Sequence, residues 1–189
     1  MAGLTTSAVR WTIADLKHLP DDSGTRYEII GGELFMARQP HWHHQQTCSN
    51  LHGRLFIWNL ENKLGTVVEA PGIIFSDEDA VAPDLVWVSN ERLKVLLGDD
   101  GKLHGAPELV IEVLSFGTTN IERDKEFKRK LYSVRGVNEY WIANWQLQTL
   151  EIYRREEAVL ELVATLQQGD ELTSPLLPGF NLNLNQIFE

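Results

Sequence analysis

Apolar and polar positions along the chain predict most of its elements before any chemistry is considered. Thr12 followed by Asp15 marks a helix start and a short helix near 12–18. The stretch "RYEII-GG-ELFMAR" alternates about a glycine pair and predicts a hairpin turned at Gly31 and Gly32. Between His43 and Leu64 the spacing of Leu51, Leu55, Trp58 and Leu60 predicts a long amphipathic helix that ends before Gly65. Short strands follow at "TVVEA", "GIIF" and "DLVWV", then a short helix at 90–97 and the loop "LGDDGKLHGAP". "ELVIEVL" is the next strand and 120–135 the next helix. "EYWIAN", "TLEIYRR" and "VLELVAT" read as three strands in an antiparallel extension, and "LNQIFE" as a last turn. Strands mixed with helices, without regular alternation, predict an α/β or α+β fold with helices packed on a sheet.

One strand carries a fault. Leu109, Val110, Ile111, Val113 and Leu114 form the nearly continuous apolar run of a strand covered on both faces, yet Glu112 sits inside it. An ionised carboxylate there costs several kcal/mol unless it is paired or bound to a metal. A second carboxylate, Asp84, stands at the mouth of the apolar strand in "APDLVWV". Adjacent strands presenting one carboxylate each would make a hard-oxygen site for Mg²⁺ or Mn²⁺. The plainer alternative has Asp84 capping a turn after Pro83 and Glu112 pairing with a core arginine.

At 100° per residue, Phe127, Leu131, Val134, Ile121 and Tyr132 share one broad face of the 121–135 helix, and Lys125, Arg129 and Lys130 lie opposite. Lys128 falls between Leu131 and Tyr132, inside the inward arc, with Asp124 one turn before it. Nearby carboxylates or a bound phosphate would give an inward lysine its reason; a snorkelling side chain is the alternative.

Composition narrows the class. The chain of 189 residues is 43% hydrophobic and 23% charged, ordinary for a globular domain, and we expect one domain over 1–189. The single cysteine, Cys48, excludes an internal disulfide framework and suits a reducing cytoplasm. No apolar run approaches the length of a membrane span. The formal net charge of −10 argues against a general nucleic-acid binder, but "RDKEFKRKLYSVR" concentrates six basic side chains that could sit beside a phosphate.

These residues resemble the PD-(D/E)xK nuclease superfamily, with Asp in "APD" and Glu in "IEV". The lysine usual in that superfamily lies two residues after the glutamate, where this chain has Leu114; Lys128 would be a migrated replacement. The pieces "YEIIGGEL", "HQQTCSNLHGRL", "APDLVWVS", "PELVIEVLS", "RDKEFKRKLYSVRGVNEYWIAN" and "LEIYR" are similar to the Uma-type restriction endonuclease family, from about residue 12 to the C-terminus. "GTTN" after "EVLSF", "GGE" and "IAN" depart from the commoner family forms. The resemblance implies a restriction-endonuclease-like mixed central sheet flanked by helices and a metal-dependent endonuclease acting on DNA rather than RNA. It further implies Asp84 and Glu112 holding one or two Mg²⁺ or Mn²⁺ ions, and Lys128 orienting water or stabilising the phosphoryl oxygens.

Glu33, at the start of the second hairpin strand, would aid a metal through water, or else is a solvated turn residue. His44 opens the long helix, whose N-terminal backbone could help hold a phosphate. His41, His43 and His44 in "HWHH" lack the i, i+4 spacing that aims two imidazoles at one ion, so a solvated helix start is expected there rather than zinc. Tyr140, Trp141 and Trp145 could stack on bases, but core and interface packing is the expected role. The strand-rich segment 139–164 offers an edge that a homodimer would cover. Two other classes share these features: a non-catalytic nucleic-acid-binding or regulatory module, and a small metal-dependent phosphoesterase.

Overall fold

The computed structural model describes residues 9–20, 25–37, 39–117, 121 and 123–189. The hairpin β1 (Arg26–Ile30) and β2 (Glu33–Ala37) turns as predicted, with Gly31 and Gly32 both at positive φ, +58° and +78°. Two successive positive φ values match the right-handed twist of the flanking strands and favour glycine at both positions. α1 (Ile13–Leu16) starts in a Thr12/Asp15 capping box. α2 (Trp42–Asn62) is the long helix. It ends at Lys63 in the left-handed region, not at a glycine. Gly65 instead lets the next strand approach: a Cβ there would lie 2.3 Å from the Val88 carbonyl oxygen.

β3 (Gly65–Glu69), β4 (Ile73–Ser76), β5 (Asp79–Val81), β6 (Leu85–Ser89), α3 (Asn90–Leu96) and β7 (Leu109–Val113) follow. A π-helical turn over Arg123–Lys128 runs directly into α4 (Arg129–Arg135). The helix start expected at residue 120 lies outside the described residues. β8 (Glu139–Asn144), β9 (Thr149–Glu156), β10 (Val159–Leu166), β11 (Glu171–Thr173), β12 (Asn181–Asn183) and α5 (Asn185–Phe188) complete the chain.

The main sheet has six strands in the order β10-β9-β8-β7-β6-β3. β7 and β8 are parallel and the other pairs antiparallel. The antiparallel run β8-β9-β10 is therefore present, and its first strand is also the parallel neighbour of the strand carrying Glu112. Period-2 alternation divides the core in two. On one face Leu109, Ile111, Val113, Trp141 and Ala143 pack with Leu51, Leu55 and Trp58 of α2 and with the C-terminal Leu177, Phe180 and Ile187. On the other, Val110, Leu114, Tyr140 and Ile142 pack with Leu131 and Tyr132 of α4 and with Ile30 and Val81 of a small second sheet, ordered β2-β1-β5-β4.

Two predicted faces need correction. Leu60 is 56% exposed; the buried stripe of α2 is His44, Thr47, Cys48, Leu51, Leu55 and Trp58. Phe127 and Val134 are 43% and 74% exposed, whereas Lys128 is 1% exposed. The inward arc is thus centred on Lys128, with those two apolar residues at its rim, because charged groups occupy the middle of the contact.

Candidate active site

Glu112 and Asp84 are brought together by strand register. β6 and β7 pair antiparallel with Leu85 opposite Ile111, so the next position out sets Asp84 opposite Glu112 on the same face of the sheet. Asp84 Oδ2 accepts the Val113 backbone N–H at 2.8 Å and lies 3.3 Å from His44 Nε2. Arg26 Nη1 lies 3.7 Å from Asp84 Oδ1. α2 supplies His44, 4% exposed, from its first turn. Burial alone would lower the His44 imidazole, but the hydrogen bond and charge of Asp84 more than offset this and leave it above its ordinary value. In the same way, burial would raise Asp84, but His44 and the Val113 N–H hold it below the usual carboxylate range.

Lys128 reaches inward from the π-helical turn, as its helical phase predicted. Its Nζ lies 2.8 Å from Glu112 Oε1, 3.0 Å from Glu28 Oε1 and 3.7 Å from Asp124 Oδ1. Tyr132 donates its hydroxyl to the same Glu112 oxygen at 3.1 Å. Asp124 also takes Arg123 Nε at 3.0 Å, and Arg123 Nη1 stands 3.9 Å from Glu28 Oε2. The wider i→i+5 turn buries Arg123, Asp124 and Lys128 together while Leu131 and Tyr132 still face the core. Single π-turns inside helices are frequent at functional sites.

Glu28, Asp84, Glu112 and Asp124 all line one cavity of about 100 Å³. Burial raises the Glu112 carboxyl to about 8; Lys128 opposes the shift, and Asp84, Asp124 and Glu28 reinforce it. Asp124 is raised too, chiefly by burial. The cavity has room for an ion and a few waters, each water claiming about 30 Å³. Four hard-oxygen donors, one driven to hold a proton near neutrality, suit a divalent cation such as Mg²⁺ or Mn²⁺.

Asp84, Glu112, Lys128 and His44 thus line one cavity. Glu33 does not. It is exposed at the turn end of β2, opposite Ile30, and the hairpin acid in the cavity is Glu28, 2% exposed. Glu28 stands in the mixed strand "RYEII", which lacks the continuous apolar run that singles out Glu112. Arg26, Arg123 and Asp124 also line the cavity. The basic segment is largely engaged within the fold: Lys125 pairs with Glu151, Arg135 with Asp79, and Arg129 lies over the Tyr153 ring. Tyr140 and Trp141 are fully buried in the core, as packing residues would be. Trp145 stacks on His41, ring centroids 4.9 Å apart.

A mixed sheet covered on both faces, with acids from adjacent strands and a lysine from the following helix, defines a protein of the restriction-endonuclease-like nuclease fold. The family model described as "Putative restriction endonuclease", Uma2, matches residues 13–185, and the chain belongs to that family. Among solved structures, the chain is similar to "a putative nuclease belonging to DUF820" from Anabaena variabilis ATCC 29413. That likeness has a TM-score of 0.72 and 18% identity, over 94% of this chain and 97% of that one. The type IIG restriction endonuclease BpuSI also matches, with a TM-score of 0.42 and 14% identity over 77% of this chain and 15% of that one. No curated protein matches.

Proposed function

We propose that the protein is a divalent-metal-dependent endonuclease that hydrolyses phosphodiester bonds of DNA. The observation that carries this reading is the crowding of Glu28, Asp84, Glu112 and Asp124 around a cavity of about 100 Å³, with the Glu112 carboxyl pushed up to about 8. Asp84 and Glu112 would hold Mg²⁺ or Mn²⁺, which when bound lowers the pKa of a water and polarises the phosphodiester. Lys128 is charged and reaches one of those two acids, Glu112, at 2.8 Å; turned from Glu112 toward the phosphate, it orients the attacking water or offsets charge on the phosphoryl oxygens. His44 holds Asp84 in place. A wider cavity of about 680 Å³, lined by Tyr27, Met36, His41, Phe116 and Arg123 among others, shares Ala37, Pro40, Ser115 and Arg123 with the first and offers the strand a path in.

A two-fold homodimer fits this reading. β10 is an edge strand of the main sheet and exposes Val159, Leu162 and Val163. The buried free thiol of Cys48 suits the cytoplasm, and among the described residues no helix is long and apolar enough to cross a membrane. The net charge of −10 and the internal pairing of the basic segment favour one alternative, a hydrolase of small phosphoesters.

Supercoiled plasmid with Mg²⁺ or Mn²⁺ tests the proposal. Nicking that a chelator stops and that Asp84→Asn loses supports it. A folded parent that leaves plasmid intact but hydrolyses small phosphodiesters replaces it with the alternative.

A further inference from the structure

The inward stripe of α2 begins with His44 and Cys48, one helical turn apart. This i, i+4 spacing aims two side chains of a helix at one point, and it is the spacing that the exposed His41 and His43 lack. Cys48 Sγ lies 3.6 Å from His44 Nδ1, and Asp84, from the neighbouring strand entry, lies 3.3 Å from His44 Nε2. One imidazole nitrogen, the thiol sulfur and a carboxylate oxygen all lie within 4.8 Å of one another. A zinc ion stands about 2.3 Å from a thiolate and about 2.0–2.2 Å from nitrogen or oxygen ligands. Its ligands are then roughly 4.5 Å apart at most, close to the 4.8 Å spread of this set; the imidazole meets Cys48 through Nδ1 and Asp84 through Nε2, and one of the two nitrogens would ligate. All three are held by rigid elements, with His44 at 4% and Cys48 at 6% exposed.

We infer that His44, Cys48 and Asp84 form a second metal site, for a thiophilic borderline ion such as Zn²⁺ or Co²⁺, that overlaps the hard-oxygen site at Asp84 and blocks it when filled. The donor set decides the ion: a sulfur ligand with an imidazole selects zinc-like metals, while the oxygens of Glu112 and Glu28 select Mg²⁺ or Mn²⁺. On binding, the Cys48 thiol releases its proton to solvent, and the thiolate and carboxylate together neutralise the ion's charge. A zinc-like ion at this site draws Asp84 away from the hard-oxygen site and places a second positive charge beside it, so it acts as an inhibitor. The inhibition rests on the nuclease reading; the binding does not.

Cobalt chloride titrated into the full chain under reducing conditions tests this by absorption. Cys48 is the only cysteine in the sequence, so a thiolate-to-cobalt charge-transfer band reports on that residue alone. The expected result is a band saturating at one ion per chain, bleached by zinc and missing from Cys48→Ser and Cys48→Ala. Zinc affinity in those variants should fall by more than the roughly 10–100-fold typical of losing a mere outer-sphere partner. Zinc should also stop Mg²⁺-dependent nicking by the parent at a concentration at least about tenfold below that needed for the Cys48 variants. A folded parent that binds cobalt without the band, or does not bind it, overturns the inference even if it nicks DNA normally. A band without any nicking leaves the second site standing and removes the nuclease reading.

Discussion

Two buried glutamates occupy neighbouring strands and opposite faces of the main sheet. Glu139 on β8 is 1% exposed, and Glu112 on β7 is 3% exposed. Glu139 accepts the Trp141 indole N–H at 2.7 Å and the Ser174 hydroxyl at 2.8 Å, with Arg154 Nε at 3.5 Å. Its oxygens are satisfied by donors, and through Ser174 it ties the C-terminal segment to the sheet. Glu112 shares its surroundings with three other carboxylates and keeps a proton to about 8. Burial alone therefore does not mark a functional acid. Burial joined to crowding does: burial raises Glu112 most, Lys128 opposes it, and three further carboxylates around that one lysine leave a charge that a proton or a metal cation relieves.

The largest effect that would break this comparison is expected at Lys128. Lys128→Ala leaves Glu28, Glu112 and Asp124 buried without their shared cation, a loss of about 3–5 kcal/mol of stability. The three carboxylate contacts of the amine make it part of the fold as well as of the site. In protein that remains folded, nicking should drop by a further hundred- to thousand-fold, about 3–4 kcal/mol at the transition state. Urea unfolding and plasmid nicking, compared in one buffer, separate the two. Unchanged values in both would remove Lys128 from the account.

Glu139→Ala should cost about 1–3 kcal/mol for each donor it strands, read as a lower urea midpoint at constant slope. Its Mn²⁺ affinity by calorimetry should match the parent's, whereas Asp84→Asn and Glu112→Gln should each lose most of theirs. Equal losses at Glu139 and Glu112 would dissolve the distinction between them.

A subtler effect is the pH dependence of apo stability. Glu112 titrates at about 8 in the folded chain against an ordinary value of 4.5. Between those values the folded state holds a proton that the unfolded state has released. Stability therefore falls as pH rises through that window and levels off above it. Glu112→Gln should flatten that decline and be the more stable protein above about pH 8 in the presence of chelator. Asp124, also raised, keeps a residual slope of the same sign. Asp84, held low, adds stability that is present above 3.8 and lost in stronger acid, outside this window. A Glu112→Gln profile parallel to the parent's would contradict the raised carboxyl. The smallest effect belongs to exposed Lys130: Lys130→Ala should weaken DNA binding modestly and reduce its salt slope by about one contact's worth.

Much of this was legible in the sequence because the signals are local. The glycine-pair hairpin, the inward phase of Lys128 and the misplaced charge of Glu112 each follow from the period of one element. Glu28 escaped because its burial depends on β1 pairing with β5, a strand of three residues with no pattern of its own. The π-turn escaped because no single residue announces an i→i+5 bond. The approach of Asp84 to His44 and Cys48 is a long-range fact of packing, although the one-turn spacing of the helix pair was visible.

The most direct measurement is a crystal structure with Mn²⁺, reading the ion's position from its anomalous signal. The expected result is a peak within coordination distance of both Asp84 and Glu112, with the Lys128 amine released from Glu112. A peak only elsewhere, with Lys128 still bonded to Glu112 at saturating Mn²⁺, would contradict it.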